Sequence, residues 1–111
     1  MKSFTAAVAA IALLGFAQAA GAKGNPESGK TKAAQVCAAC HGADGAKPSA
    51  PDQPILAGQH YDYMVQALND YRSGKRNNAI MKGFAAGLSK KDIEDVSAWF
   101  ASRKSGLHFQ R

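Results

Sequence analysis

The chain has 111 residues, 46% of them hydrophobic, and a formal net charge of +6, so it holds one domain at most. Its Lys and Arg residues are scattered, without interleaved aromatics or a recognition motif, which excludes a nucleic-acid-binding class and leaves an acidic protein partner as the better match to the charge. The two cysteines could form only one disulfide around a four-residue loop, which constrains an unfolded chain very little, so a domain this small points to a bound group filling its core.

Residues 1–22 have the layout of a secretory signal peptide. Met1-Lys2 gives a positive start and residues 4–16 are almost wholly apolar. Ala17-Gln18-Ala19 and Ala20-Gly21-Ala22 are both small-x-small patterns, so cleavage is expected after Ala19 or Ala22. The apolar run is shorter than the ~20 residues a spanning helix needs, and no other stretch is apolar for longer. Residues 23–111 are therefore expected to form a single soluble domain in the periplasm, with no transmembrane segment.

Three helices are expected, separated by loops rich in Gly, Pro and Asn. The first covers residues 26–39, with Asn25 as N-cap, Pro26 at the first position and Glu27 at the positive helix end. Ala33, Val36, Cys37 and Cys40 share one face, and Gly42 stops the helix. The second covers residues 61–73, where Tyr61, Met64, Val65, Leu68 and Tyr71 form an apolar stripe before Gly74. The third covers residues 90–105. Ser89 and Asp92 suit a capping box, Ile93, Val96, Trp99 and Phe100 make the buried side, and Arg103-Lys104 falls in the last turn. No stretch alternates with period two, so the fold class is all-α. The connections 43–60 and 75–88 are long for so small a domain, and long irregular loops are usually functional.

Chemistry concentrates in Cys37-Ala38-Ala39-Cys40-His41-Gly42. A thioredoxin-like redox pair belongs at a helix start within a βαβ pattern, and no such pattern is present. A structural zinc site needs four ligands from paired elements, but His60 and His108 stand isolated. C-x-x-C-H is the attachment signature of c-type haem. Two thiols three positions apart on a helix can each meet a vinyl group on one porphyrin edge, and the adjacent histidine then reaches the iron. Cys37 and Cys40 are thus candidates for covalent haem attachment, with His41 as one axial ligand. The other axial candidates are Met64, Met81, His60 and His108. Met64 sits in an apolar helix stripe, where Met is more often core filler. His60 begins the second helix, His108 lies in the C-terminal tail, and Met81 lies in the loop 77–83.

From about Glu27 to Arg103 the chain resembles a class I bacterial cytochrome c, near the cytochrome c553 and single-domain cytochrome c4-like group. The resemblance is carried by the C-x-x-C-H-Gly stretch, by Pro54-Ile55-Leu56-Ala57-Gly58-Gln59, by Tyr71-Arg72-Ser73-Gly74-Lys75-Arg76, by Met81 and by Leu88-Ser89-Lys90-Lys91-Asp92-Ile93. Cytochrome c4 proteins have two haem domains. This chain has one C-x-x-C-H, so it resembles half of one.

The resemblance implies a class I cytochrome c fold, three main helices and long loops around one covalent haem c. It implies Met81 as the sixth ligand, which would close the iron and raise its potential. It implies that the Pro54 backbone carbonyl orients His41 and that Leu56 packs on the haem face. It implies that Gly29 marks a close crossing of the first and last helices, against Val96 and Trp99. Arg76 and Tyr71 either approach a haem propionate or stay solvated. The expected function is a soluble single-electron carrier rather than an enzyme. Lys47, Lys75, Lys82 and Lys90 are candidates to rim the haem edge and steer acidic redox partners. Two rivals are a haem c subunit of a larger dehydrogenase or oxidase complex, and a haem sensor or peroxidase with an open sixth position.

Overall fold

The computed structural model describes residues 23–105; the expected signal segment 1–22 and His108 lie outside the described residues. Five helices follow in order: α1 (Pro26–Val36), α2 (Ala38–His41), α3 (Tyr61–Ser73), α4 (Ala79–Ala86) and α5 (Lys90–Ala101). Among the described residues there is no strand.

α1 begins as its sequence dictates. Pro26 occupies the first turn, and the Asn25 side-chain oxygen accepts the N–H groups of Glu27 at 2.9 Å and Ser28 at 3.1 Å. The helix expected over 26–39 pauses for one residue at Cys37 and then continues to His41. Cys37 N–H still reaches the Ala33 carbonyl at 2.8 Å, and its own carbonyl accepts from both Cys40 and His41. The turn tightens there instead of ending. Gly42 ends it, at φ +88°, a backbone setting that an L side chain rarely adopts.

α5 opens with a complete capping box. Ser89 Oγ accepts Asp92 N–H and Asp92 Oδ2 accepts Ser89 N–H, both at 3.0 Å. The helix stops at Ala101, short of the expected 105. Ser102 is the reason: its hydroxyl donates to the Trp99 carbonyl at 2.7 Å and its N–H is shared between Ala98 and Trp99, which occupies the final carbonyls. Arg103 is therefore not in the last turn. Its guanidinium lies 3.8 Å from the centroid of the Trp99 ring, and the Lys30 ammonium lies 5.6 Å from the same ring.

The segment 75–88, expected as a loop, contains α4. Asn78 caps it, accepting N–H groups from Ile80 at 3.1 Å and Met81 at 3.0 Å. Met81 accordingly sits in the first turn of a helix rather than in a loop.

The core lies between α1, α3 and α5. Ile93, Val96 and Phe100 of α5 are fully buried and pack with Ala33 of α1 and with Met64 and Leu68 of α3. Burying each large side chain contributes about 1.5–3 kcal/mol. α1 crosses α5 at the closest distance backbone permits. A Cβ at Gly29 would lie 1.9 Å from the Asp95 carbonyl oxygen and 3.0 Å from Trp99 Cβ. The same seam is pinned by Asn25 N–H donating to Asp95 Oδ1 at 2.7 Å, and Lys91 holds the other Asp95 oxygen.

The proline-rich connection 42–60 is strapped down rather than loose. Ser49 N–H bonds the Cys40 carbonyl at 2.9 Å, Leu56 N–H the Gly45 carbonyl at 2.8 Å, and Gly58 N–H the Phe100 carbonyl at 2.9 Å. These bonds fold the loop over α2 and onto the end of α5.

Candidate functional site

α2, the strapped loop, α3 and α4 enclose a cavity of about 460 Å³. Cys37, Cys40 and His41 line one wall and Met81 and Ala85 of α4 another, while Pro54, Leu56, Met64, Leu68 and Phe100 complete the lining.

His41 is buried at the end of α2, with 7% of its surface exposed. Its Nδ1 is 2.9 Å from the Pro54 carbonyl oxygen. A carbonyl only accepts, so Nδ1 carries the proton and donates. In the neutral ring the lone pair then sits on Nε2, which is the form a metal-binding imidazole takes. The strapped loop thus fixes both the tautomer and the angle of the ring.

Cys37 and Cys40 are free thiols, both half-buried. Burial pushes the Cys37 thiol up to about 11, so it is neutral at pH 7. A redox-active pair needs the opposite, a thiol made acidic by its surroundings. Zinc has no better footing. Among the described residues no group of three or more His, Cys, Asp or Glu side chains could hold a metal ion.

Met81 and Met64 both line the cavity but differ in setting. Met64 belongs to the buried core at 5% exposure, while Met81 is half-buried and packs against that core from α4. His60 is exposed at the start of α3, makes no cap hydrogen bond with its side chain and is not among the lining residues.

Arg76 stands at the cavity's edge, held by two tyrosines. It donates to Tyr63 Oη at 3.1 Å and lies 4.9 Å from the Tyr71 ring centroid; all three line the cavity. Gly29 and Trp99 are not at the cavity; they form the α1–α5 seam behind it. The sequence reading did not single out Tyr63, Ile80 or Phe84, which line the cavity as well. The signal for the last two was the pair at i and i+4 following the Asn78 cap.

The cavity suits a flat apolar group bearing a metal. Its walls are largely hydrophobic, two free thiols stand on one side, and an oriented imidazole nitrogen stands beside them. Residues 26–104 match the family described as Cytochrome c.

The chain belongs to the cytochrome c family.

Haem c is accordingly its cofactor, one group for the one C-x-x-C-H motif in the sequence. This cytochrome c is 44% identical over 100 residues to cytochrome c4 of Pseudomonas aeruginosa, covering 90% of this chain and 49% of that protein. It is 45% identical over 94 residues to a thiosulfate dehydrogenase electron acceptor of Stutzerimonas stutzeri, covering 84% of this chain and 44% of that one. Its fold is similar to the crystal structure of reduced recombinant cytochrome c4 from Pseudomonas stutzeri, with a TM-score of 0.68 and 38% identity over 76% of this chain and 48% of that one. The chain spans about half the length of these relatives.

Proposed function

We propose that this cytochrome c is an exported single-electron carrier whose haem is attached through Cys37 and Cys40 and ligated by His41 and Met81. When bound, haem c supplies a reversible one-electron Fe(III)/Fe(II) couple. The protein's part is to hold and tune it. His41, fixed through Nδ1 to Pro54, offers Nε2 as a strong and well-aimed ligand. The Met81 thioether would be the second protein ligand, favouring the reduced metal and keeping small ligands from it. The largely apolar lining would surround the group with side chains rather than water over much of its surface.

The observation that carries this reading is that His41, held by Pro54, and Met81, on a separately capped helix, line one cavity. Absorption spectra of the purified protein in both redox states test it. Covalent haem together with the weak long-wavelength band of ferric iron bound to Met sulfur is expected. Loss of haem on acid–organic extraction, or absence of that band, would overturn it.

Export rests on the signal-like segment 1–22 with cleavage after Ala19 or Ala22, and the periplasm is the expected location. Among the described residues no helix is long and apolar enough to cross a membrane. N-terminal sequencing of protein from a periplasmic extract tests this, with a first residue of Ala20 or Lys23 expected.

A second reading is favoured by the relative named as a thiosulfate dehydrogenase electron acceptor. The same haem would then take electrons from a dehydrogenase as part of an enzyme system. Co-purification with such an enzyme at fixed stoichiometry distinguishes a bound subunit from a diffusing carrier. A sensor or peroxidase role requires an open sixth position, and carbon monoxide binding to the untreated reduced protein would reveal one.

A further inference from the structure

Pro54 accepts the hydrogen bond that orients His41, so whatever holds Pro54 also acts on that ring. Main-chain donors can do little of this. Residues 48, 51 and 54 are prolines, which have no N–H to give. A side chain fills the gap. Gln53 Oε1 accepts the Ser49 hydroxyl at 2.9 Å and the Ala50 N–H at 3.1 Å. The Ala50 N–H can meet only an acceptor, which fixes which end of the Gln53 amide faces it. The Gln53 N–H returns to the Ala50 carbonyl at 3.2 Å.

These bonds close a ring. Ser49 N–H bonds the Cys40 carbonyl at 2.9 Å, Ser49 Oγ bonds Gln53, Gln53 precedes Pro54, and the Pro54 carbonyl accepts from His41 Nδ1 at 2.9 Å. His41 follows Cys40, so the ring returns to its start inside the C-x-x-C-H motif. Beyond Pro54 the chain is held separately, by Leu56 and Ala57 N–H groups on the Gly45 carbonyl. Without Gln53 Oε1, the stretch from Ala50 to Pro54 would keep only its long turn bond and its two ends. The two side chains differ in setting. Gln53 is half-buried and lines the cavity, whereas Ser49 is exposed and does not. An effect of Ser49 on His41 would therefore travel through the ring and not through the polarity of the cavity wall.

Resting on the electron-carrier reading, we propose that Gln53 and Ser49 are positioning residues for His41, a clamp that keeps the His41–Pro54 hydrogen bond short and so tunes the reduction potential. A firm bond from Nδ1–H makes the imidazole a stronger donor through Nε2, which favours the oxidised metal. Slackening the clamp lengthens that bond, weakens the ligand and moves the potential upward. Bonds in such a ring support one another, so losing one loosens the rest.

The test uses isotope-labelled, haem-loaded protein in its reduced state. It follows solvent exchange of the His41 Nδ1 proton beside a redox titration. Gln53→Leu should speed that exchange about tenfold, the scale of one lost hydrogen bond, and raise the potential. Ser49→Ala should do both by a smaller factor, because the Ala50 N–H keeps its acceptor. Ser49→Thr retains the hydroxyl and should behave as wild type. Combining Gln53→Leu with Ser49→Ala should give little more than Gln53→Leu alone, since both act through one oxygen. A raised potential with unchanged exchange in Gln53→Leu would assign the effect to the polarity of the cavity wall and overturn the clamp. Effects that simply add in the double variant would do the same. If Gln53→Leu does not fold, Ser49→Ala decides alone, and wild-type exchange and potential there refute the proposal. Absence of the Met-to-iron absorption band in wild-type protein sinks the carrier reading instead, a result that leaves the exchange measurement standing.

Discussion

Gly29 and Asp95 meet at backbone contact: a Cβ on Gly29 would stand 1.9 Å from the Asp95 carbonyl oxygen. No rotamer relieves that overlap, because the obstructing atom is main chain within α5. The first and last helices can cross at this distance only with hydrogen as the side chain.

Gly29→Ala is therefore expected to force α1 away from α5, at a cost of about 3 kcal/mol or more. That is a large share of the ~5–15 kcal/mol that holds a domain together. Yield of haem-loaded protein and thermal unfolding measure it. Wild-type stability in this variant would mean the helices do not cross as described.

Met81→Ala should lower the reduction potential and let carbon monoxide bind the reduced protein. Met64→Leu separates the two cavity-lining methionines. It conserves volume and should change stability by less than about 1.5 kcal/mol while the sulfur-to-iron absorption band persists. Loss of the band in Met64→Leu, and its survival in Met81→Ala, would exchange their roles.

Asn78→Ala removes the acceptor for both Ile80 and Met81 N–H groups. It should cost about 1 kcal/mol. It should also speed the entry of an external ligand such as imidazole, because the turn that frays is the one carrying Met81. Stopped-flow ligand binding beside a melting curve would separate this from a uniform loss of stability.

Asp95 supplies the pH dependence. Burial alone pushes its carboxyl upward, but hydrogen bonds from Lys91 and from the Asn25 N–H, with the charge of Lys91, outweigh it and hold the value below the ordinary carboxylate range. The stabilisation is present above about pH 3.9, the ordinary Asp value, and is lost as pH falls through the lowered folded value. Asp92 adds a contribution of the same sign, chiefly through the Ser89 N–H. Asp95→Asn should be less stable at pH 7 by about 1–3 kcal/mol and show a flatter acid limb. Melting temperature against pH from 2 to 7 measures both effects.

The sequence was most legible where local chemistry decides the outcome. Asn25-Pro26, Ser89 with Asp92, and Gly42 and Gly74 set helix ends through bonds or dihedrals that span only a few residues. The C-x-x-C-H motif was legible for the same reason, since its whole meaning lies within five positions. α4 was not. Its eight residues include Gly83, and Asn77-Asn78 ahead of it read as loop chemistry although Asn78 serves as a cap. What stabilises α4 is Ala85 and Leu88 packing inward, which only the folded chain displays. The end of α5 was misjudged because Ser102 competes for carbonyls through its side chain. The acceptor for His41 lies 13 residues away, where no periodicity marks it, and Pro54 was named for that place only through the family resemblance.

The α1–α5 seam also sets where this chain tolerates added length. Asn25 and Asp95 are joined across 70 residues. Everything that lines the cavity, apart from Val36 and Phe100, lies in the span between the two helices, much as beads lie on a closed necklace. The entropy of closing such a span rises by only about 0.6 kcal/mol for each doubling of its length. Extra residues inserted into an exposed part of the 42–60 loop or into 74–78 should thus be nearly free, provided the strapping bonds survive. One methyl group at the seam is not. Homologous chains can be expected to differ in the size of those two loops far more readily than at position 29.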